Sequence, residues 1–241
     1  MKQIFISDLH LHEQLDFLTD GFLRFLSEID KTTNELYILG DFFEIWLGDD
    51  HDTPFNEKII KALRQFSGDI FIMHGNRDFL IGSTFCYASG TTLLPDSTVI
   101  STPAGDSLLL HGDSLCTRDI NYMKAREVLR SKSFQTDFLS KSITERSEIA
   151  EQIRGKSKTH IRESAADIMD VTPSEVIKSL SKAQSSIMIH GHTHRPAVHK
   201  LYIDDQAATR YVLGDWGQTM KYLVIENNEP QLMTYAVGIP E

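Results

Sequence analysis

Leu36-Tyr37-Ile38-Leu39-Gly40-Asp41 decides the reading of this 241-residue chain: four apolar residues in succession, then a glycine, then a carboxylate. A run that short, bounded by a turn residue, reads as a strand buried on both faces. The glycine permits a sharp turn. The carboxylate then falls just past the carboxyl end of a strand, where open α/β sheets bind their ligands. The same cadence recurs along the chain. Ile4-Phe5-Ile6 precedes Asp8 and His10, and Ile70-Phe71-Ile72-Met73 precedes Gly75, Asn76, Arg77 and Asp78. Leu108-Leu109-Leu110 precedes His111, Gly112 and Asp113, and Ile187-Met188-Ile189 precedes Gly191, His192 and His194. Tyr211-Val212-Leu213 reads as a further strand.

Between the first three strands, Leu15 to Ile29 and Phe55 to Phe66 repeat apolar residues at spacings of three and four, so helices join these strands as βαβ units. Val99-Ile100, Leu108 to Leu110, Tyr222 to Ile225 and Leu232 to Tyr235 follow with little helix between them, which implies antiparallel pairing. The expected fold class is therefore α/β, a sandwich of two mixed sheets flanked by helices around one core. We expect a single domain over 1–241 with a helical insertion at about 118–168. That insertion lacks strand patterning, and its Tyr122, Met123, Leu129, Phe134, Phe138, Leu139 and Ile143 suit amphipathic helices. It also inverts the charge: 118–164 carries eleven Lys/Arg against seven Asp/Glu in a chain of net charge −10. Thr172-Pro173-Ser174-Glu175 has the form of a capping box that opens a further helix.

The bulk composition excludes several classes. An acidic chain with pI near 5.4 does not grip nucleic-acid backbone over its whole surface, and no apolar run approaches the ~20 residues of a spanning helix. Met1 to Asp8 enters a strand directly, without the pattern of a signal peptide, so the cytoplasm is the expected compartment. Cys86 and Cys116 are too few for a disulfide framework and read as reduced structural thiols.

The donors that follow the strands are Asp8, His10, Asp41, Asn76, His111, His192 and His194. All are oxygen or nitrogen ligands, a set suited to Mn²⁺, Fe²⁺ or Zn²⁺ rather than a soft-metal centre. Seven exceed what one tetrahedral ion takes. With a bridging carboxylate they would supply two ions ~3.5–4 Å apart, the arrangement that clamps attacking and leaving oxygens in phosphoryl chemistry. His12, His51, His160 and His199 read as ordinary surface or hydrogen-bonded histidines, and Asp49-Asp50 as a solvated loop.

In these residues the chain resembles the calcineurin-like metallophosphoesterases, whose Asp-x-His, Gly-Asp, Gly-Asn, His and Gly-His-x-His pattern it fills completely. The resemblance implies that Asp41 bridges the metals, with Asp8, His10 and His194 on one ion and Asn76, His111 and His192 on the other. It implies catalytic parts for Asp41, Asn76, Arg77 and His192. Many members carry a histidine after the Gly-Asn turn, where this chain has Arg77. The longer strings Tyr37 to Glu44, Trp46 to Asp50, His74 to Leu80 and Ile189 to Ala197 resemble the family of UDP-2,3-diacylglucosamine pyrophosphatases, over almost the whole chain.

That likeness implies a lipid-linked UDP-sugar as substrate, cleaved to UMP and lipid X in lipid A synthesis, with Mn²⁺ as cofactor. It also implies peripheral contact with the cytoplasmic face of a Gram-negative inner membrane. Neither nucleic acid nor an obligate protein partner is expected. The insertion becomes a cap over acyl chains, with its cations facing phosphates or anionic lipid. Asn76, Arg77, Asp119, Tyr122, Arg154, Ser157, Arg162 and His192 are the implied substrate contacts. Ser164 stands where the family usually has lysine, with Lys158 and Arg162 nearby. Two alternatives compete. One is an enzyme for a water-soluble nucleotide or phosphoester, which would not need an apolar cap; the other is a non-catalytic scaffold, which would be expected to have lost ligands.

Overall fold

A computed structural model describes residues 1–163, 168 and 170–238, and of residues 156–163 only the backbone. In chain order the elements are β1 (Lys2–Ile6), α1 (Asp16–Ile29), β2 (Glu35–Leu39), α2 (Pro54–Arg64), β3 (Asp69–Met73), α3 (Ser83–Ser89), β4 (Thr91–Leu94), β5 (Ser97–Thr102) and β6 (Gly105–Leu110). Then come α4 (Ile120–Leu129), α5 (Lys132–Leu139), α6 (Ile143–Glu163), α7 (Pro173–Ala183), β7 (Ile187–His190), β8 (Ala197–Ile203), β9 (Gln206–Val212), β10 (Thr219–Glu226) and β11 (Glu229–Ala236).

They form two mixed sheets, with strand orders β11-β10-β1-β2-β3-β4 and β5-β6-β7-β9-β8. The βαβ units give the parallel pairs β1·β2 and β2·β3, while the tight connections give the antiparallel pairs β5·β6 and β10·β11. Side-chain alternation along each strand then divides the interior. Ile4 and Ile6 join Ile38, Ile72, Phe22, Phe25, Ile59 and Leu63 under α1 and α2. Phe5, Tyr37, Leu39 and Met73 meet Leu109, Ile189 and Tyr211 between the sheets. Leu108, Leu110 and Met188 pack under Val176 and Leu180 of α7. The single core expected from sequence is therefore three apolar layers, because each sheet is covered on both faces. Its consequence is rigidity: β1, β2, β3, β6 and β7 are clamped from two sides, and the turns at their carboxyl ends inherit fixed positions.

Three elements escape the sequence pattern. α3 is only seven residues long, β4 is an edge strand, and β8 alternates exposed and half-buried residues, so none carries a long periodic signal. The capping box is a correction. Helix α7 does begin with Pro173 after Thr172, but Thr172 makes no side-chain cap. Its Oγ1 instead accepts a 2.9 Å hydrogen bond from Thr117, and Glu175 pairs with Lys178. The Asp49-Asp50 pair is a partial correction: Asp50 is exposed as a solvated loop residue would be, but both carboxylates are tied into the fold. Asp49 accepts from Trp46 Nε1 and from the backbone N–H groups of Gly82 and Phe85, and Asp50 takes both Nη groups of Arg146. This loop is a joint between the sheets and the helical insertion. Cys86 and Cys116 are free and buried.

Candidate metal centre and its cap

Five candidate ligands sit on backbone that L-residues seldom adopt: Asp8, His10, Asp41, His192 and His194 have φ of 55°, 50°, 49°, 67° and 53°. Such conformations cost about 1–3 kcal/mol each and persist only where surrounding structure over-determines them. Here the turns hold one another. Asp8 N–H donates to Gly40 O, His10 N–H to Asp41 O, Leu11 N–H to Phe42 O and Gly191 N–H to His111 O. Asp78, fully buried, receives Phe42 N–H at 2.7 Å and Gly75 N–H at 2.7 Å, tying the turn after β2 to the turn after β3. Two glycines are required by close approach rather than by φ. A Cβ at Gly75 would collide with Asp41 N and Oδ1, and one at Gly191 with Asp8 Oδ2 and Ser7 Oγ.

The result is a convergence of electron-pair donors. Asp8, His10 and His194 offer ligand atoms within 4.8 Å of one another, as do Asp8, Asp41 and His111. His10 Nε2 lies 3.5 Å from His194 Nε2 and 3.9 Å from Asp41 Oδ2. On the other side Asn76 Oδ1 is 3.1 Å from His111 Nε2 and 2.9 Å from His192 Nδ1, with Asp41 Oδ1 3.8 Å from His111 Nε2. His111 Nδ1 must donate to the Leu39 carbonyl at 2.8 Å, so in the neutral ring that ligates an ion it is Nε2 that carries the lone pair, facing the Asn76 oxygen. Asp8 Oδ1 is buried and makes no hydrogen bond among the described residues, with His194 Nε2 3.4 Å away. Lone pairs aimed at one another and an orphaned carboxylate oxygen call for cations between them, and the all-N/O set fits hard or borderline divalent ions.

In the protein alone, these groups titrate against each other. Burial raises the Asp41 carboxyl despite neighbouring imidazoles, whereas for Asp8 burial is overcome by His194, His111 and His10, which hold its carboxyl far below the usual range. Burial opposes the charge on His10, but the Glu44 hydrogen bond and the Asp41 and Asp8 carboxylates push it up to about 9. Burial and the neighbouring His111 bring His192 down to about 4. A histidine that must lose a proton to ligate makes ion binding pH-dependent.

Around the donors lies a shell of partners. Glu44 Oε2 stands 3.0 Å from His10 Nδ1, the arrangement that fixes a ligating imidazole's tautomer. Burial would raise Glu44, yet His10, Arg77 and Arg154 lower it to about 2. His194 Nδ1 is 3.5 Å from Asp215. His190 is fully buried; its Nδ1 donates to Gly191 O and its Nε2 faces Arg210, and burial together with Arg210 lowers it to about 3.

From this centre a cavity of about 590 Å³ runs beneath the inserted helices. Glu44, Asn76 and Arg77 line its polar end, and Leu80, Leu129, Phe134, Phe138 and Ile153 its apolar wall. Arg77 donates its backbone N–H to Asp41 Oδ1 at 2.8 Å, and its Nη1 lies 3.7 Å from Glu44. Arg154 of α6 lines the cavity and also pairs with Glu44. Asp119 is buried as the N-cap of α4, accepting Tyr122 N–H at 2.9 Å. Tyr122 lines the cavity with its ring centroid 5.8 Å from that of His192, while its hydroxyl donates to Asp113 at 2.7 Å. The side chains of Ser157, Lys158, His160 and Arg162, and all of Ser164, lie outside the described residues.

The expectation that the cap's cations face phosphates or lipid needs revision for Arg146, which does not line the cavity, while Arg126 and Arg130 line it and are also tied to the sheets. Arg126 donates to Asp113 and Asp96, and Arg130 to Asp96 and the Gly75 carbonyl. Arg146, 4% exposed, binds Asp50 and the Leu47, Leu139 and Lys141 carbonyls. These are struts that attach the cap to the sheets, because a guanidinium's several N–H groups suit it to bind carbonyls and carboxylates together. Sequence reasoning named Glu44 within a motif string and placed Asp78 and Asp113 beyond strands, without giving Glu44 its His10 and Arg154 contacts or the two aspartates their partners. Their position beside Asp41, Asn76 and His111 was the available signal.

Residues 1–196 match the family model described as calcineurin-like phosphoesterase. A Pseudomonas fluorescens protein named UDP-2,3-diacylglucosamine hydrolase is 47% identical over 241 residues, covering 99% of this chain and 97% of the relative. A Marinobacter nauticus protein of the same name is 46% identical over 233 residues, 95% of this chain and 96% of that one.

Proposed function

The chain belongs to the calcineurin-like phosphoesterase family, and from that premise we propose that it hydrolyses the pyrophosphate of UDP-2,3-diacylglucosamine, giving UMP and 2,3-diacylglucosamine 1-phosphate, a step of lipid A synthesis. The observation that carries this reading is the cavity: one continuous space has Asn76 and Arg77 at one end and Leu129, Phe134, Phe138 and Ile153 along its wall. A diphosphate joined to acyl chains has that polarity. A soluble nucleotide does not.

In this reading Asp8, His10, Asp41 and His194 would hold one ion and Asp41, Asn76, His111 and His192 the other, with Mn²⁺ as the ion. Two divalent ions so bound supply Lewis acidity and a nucleophilic water at neutral pH. The water oxygen bonds to the α-phosphorus, and the bond from that phosphorus to the bridging oxygen breaks. The bridging oxygen leaves with the sugar 1-phosphate. Arg77 and Arg154 meet the diphosphate; a guanidinium can donate two parallel hydrogen bonds to phosphate oxygens and keeps its charge throughout. Tyr122 and Asp119 set the floor of the cap at the head group, with Ser157 and Arg162 as further contacts. The apolar wall takes the acyl chains and keeps bulk water from the reacting phosphorus. Among the described residues no helix is long and apolar enough to cross a membrane, and we place the protein peripherally on the cytoplasmic face of the inner membrane, where a diacylated substrate resides.

The test is UMP release from UDP-2,3-diacylglucosamine in detergent micelles with Mn²⁺, beside an Asp41→Ala control and a panel of soluble phosphodiesters. Metal-dependent release from the lipid, absent in the control, is expected. Turnover of soluble esters alone would sink the lipid assignment.

A further inference from the structure

Glu44 lies three residues beyond Asp41, and three nitrogen-bearing side chains from separate parts of the chain meet on it. Its Oε2 is 3.0 Å from His10 Nδ1, on the turn after β1. Its Oε1 is 3.7 Å from Arg77 Nη1, on the turn after β3, and contacts Arg154 Nη2 on α6 of the cap. The two oxygens thus face different tasks, one toward the ion site and one toward the cavity. Arg154 Nε is buried and makes no hydrogen bond among the described residues. Two guanidiniums side by side repel unless an anion lies between them, and within the protein alone Glu44 is that anion.

We propose that Glu44 is the positioning residue that couples ion binding to diphosphate binding. Through Oε2 it holds His10 with Nε2 aimed at the first ion site. Through Oε1 it keeps Arg77 and Arg154 together at the cavity entrance, in the place where substrate phosphates arrive. The inference rests on the function proposed above and deepens it. It assigns to one carboxylate outside the ligand set a role at both the metal and the substrate.

The experiment uses the full chain with Glu44→Gln, Arg154→Met and the double substitution. Mn²⁺ binding to the metal-free protein is measured by calorimetry, and kcat and KM with UDP-2,3-diacylglucosamine. Glu44→Gln is expected to weaken one of two Mn²⁺ sites by about 10–100-fold, leave the other near its wild-type affinity, and raise KM by about tenfold. Arg154→Met should raise KM less in the Gln background than in the wild type, because the arginine there is no longer held in place. Should the Gln variant fail to fold, Glu44→Asp, which keeps the charge but shortens the reach by one methylene, is read in the same way. Unchanged Mn²⁺ affinities, or additive effects of the two substitutions on KM, would overturn the proposal. A wild-type protein that binds Mn²⁺ but releases no UMP would sink the proposed function instead, and the Mn²⁺ comparison would still decide the part played by Glu44.

Discussion

At the strand ends Asp8 and Asp41 are 0% and 2% exposed, five ligand residues hold left-handed backbone, and Gly75 and Gly191 leave no room for a methyl group. Across the cavity, α4 buries none of its residues and α5 buries only Phe138. The turns are determined by their packing and hydrogen bonds before any ligand arrives. Among the described residues α4 and α5 have no core of their own; they are attached by Arg126, Arg130 and Arg146, and their apolar side chains, Phe134 stacked on Phe138 among them, line a space. A reaction at phosphorus demands fixed donors, because a small misplacement costs rate steeply. Acyl chains demand only apolar area, which tolerates adjustment. On the proposed function, the two halves of the site are built to those two tolerances.

The largest expected effect tests whether the turns have any slack. Gly75→Ala drives a methyl into Asp41 and should destabilise the metal-free protein by about 3 kcal/mol in urea denaturation. A cost below about 1 kcal/mol would mean that the turns yield and the contrast with the cap is false. Arg146→Met removes the buried strut and should cost about 2 kcal/mol, since its Asp50 partner is largely exposed. Hydrogen exchange would show that loss in α5 and α6 while the strand-end amides stay protected; equal acceleration in both regions would make the cap part of the core. Phe134→Ala, in the cavity wall, should raise KM for the diacylated substrate about tenfold, ~1.4 kcal/mol, and by less for a short-chain analogue. The same increase for both would remove the apolar wall from substrate binding.

The smallest effect is a pH slope belonging to the turns. His190 is held at about 3 in the folded protein against 6.5 when unfolded, by burial and then by Arg210. A depressed histidine means that the unfolded chain binds more protons below pH 6.5, so stability falls as pH drops through that value. His10, raised to about 9, stays protonated in the folded protein throughout this range, and proton uptake by its unfolded form below 6.5 gives only a smaller slope of the opposite sign. Between pH 6.5 and 5.5 His190 should account for about 1 kcal/mol of lost stability, and His190→Gln should flatten the curve by that amount. An unchanged slope would show that the ring is charged or solvated in the folded protein.

What sequence made legible follows from the range over which each signal acts. Leu36 to Leu39 and Ile70 to Met73 announce buried strands because a strand covered on both faces must be apolar at consecutive positions. Asp41, Asn76, His111 and His192 follow such strands, and turn chemistry is local, so their convergence at strand ends could be inferred. Short α3 and the half-exposed β8 gave no comparable pattern. Thr172 and Glu175 mislead for the opposite reason: the local signal for a capping box was present, but Thr117, 55 residues away, takes the hydroxyl.

By itself, then, the sequence determined the two-sheet α/β class, most of its strands and the turns that end them, which oxygen and nitrogen donors follow those strands, and the basic character of 118–164. Only the tertiary structure decided how the partners pair: Asp78 with the N–H groups of Phe42 and Gly75, Glu44 with His10, Arg77 and Arg154, and Arg146 with Asp50 across 96 residues. The physical reason is that periodicity records whether a residue is buried and how the chain turns beside it, whereas a charged side chain can satisfy itself with any opposite charge the fold brings within reach. Which of them it meets is settled only when the layers pack.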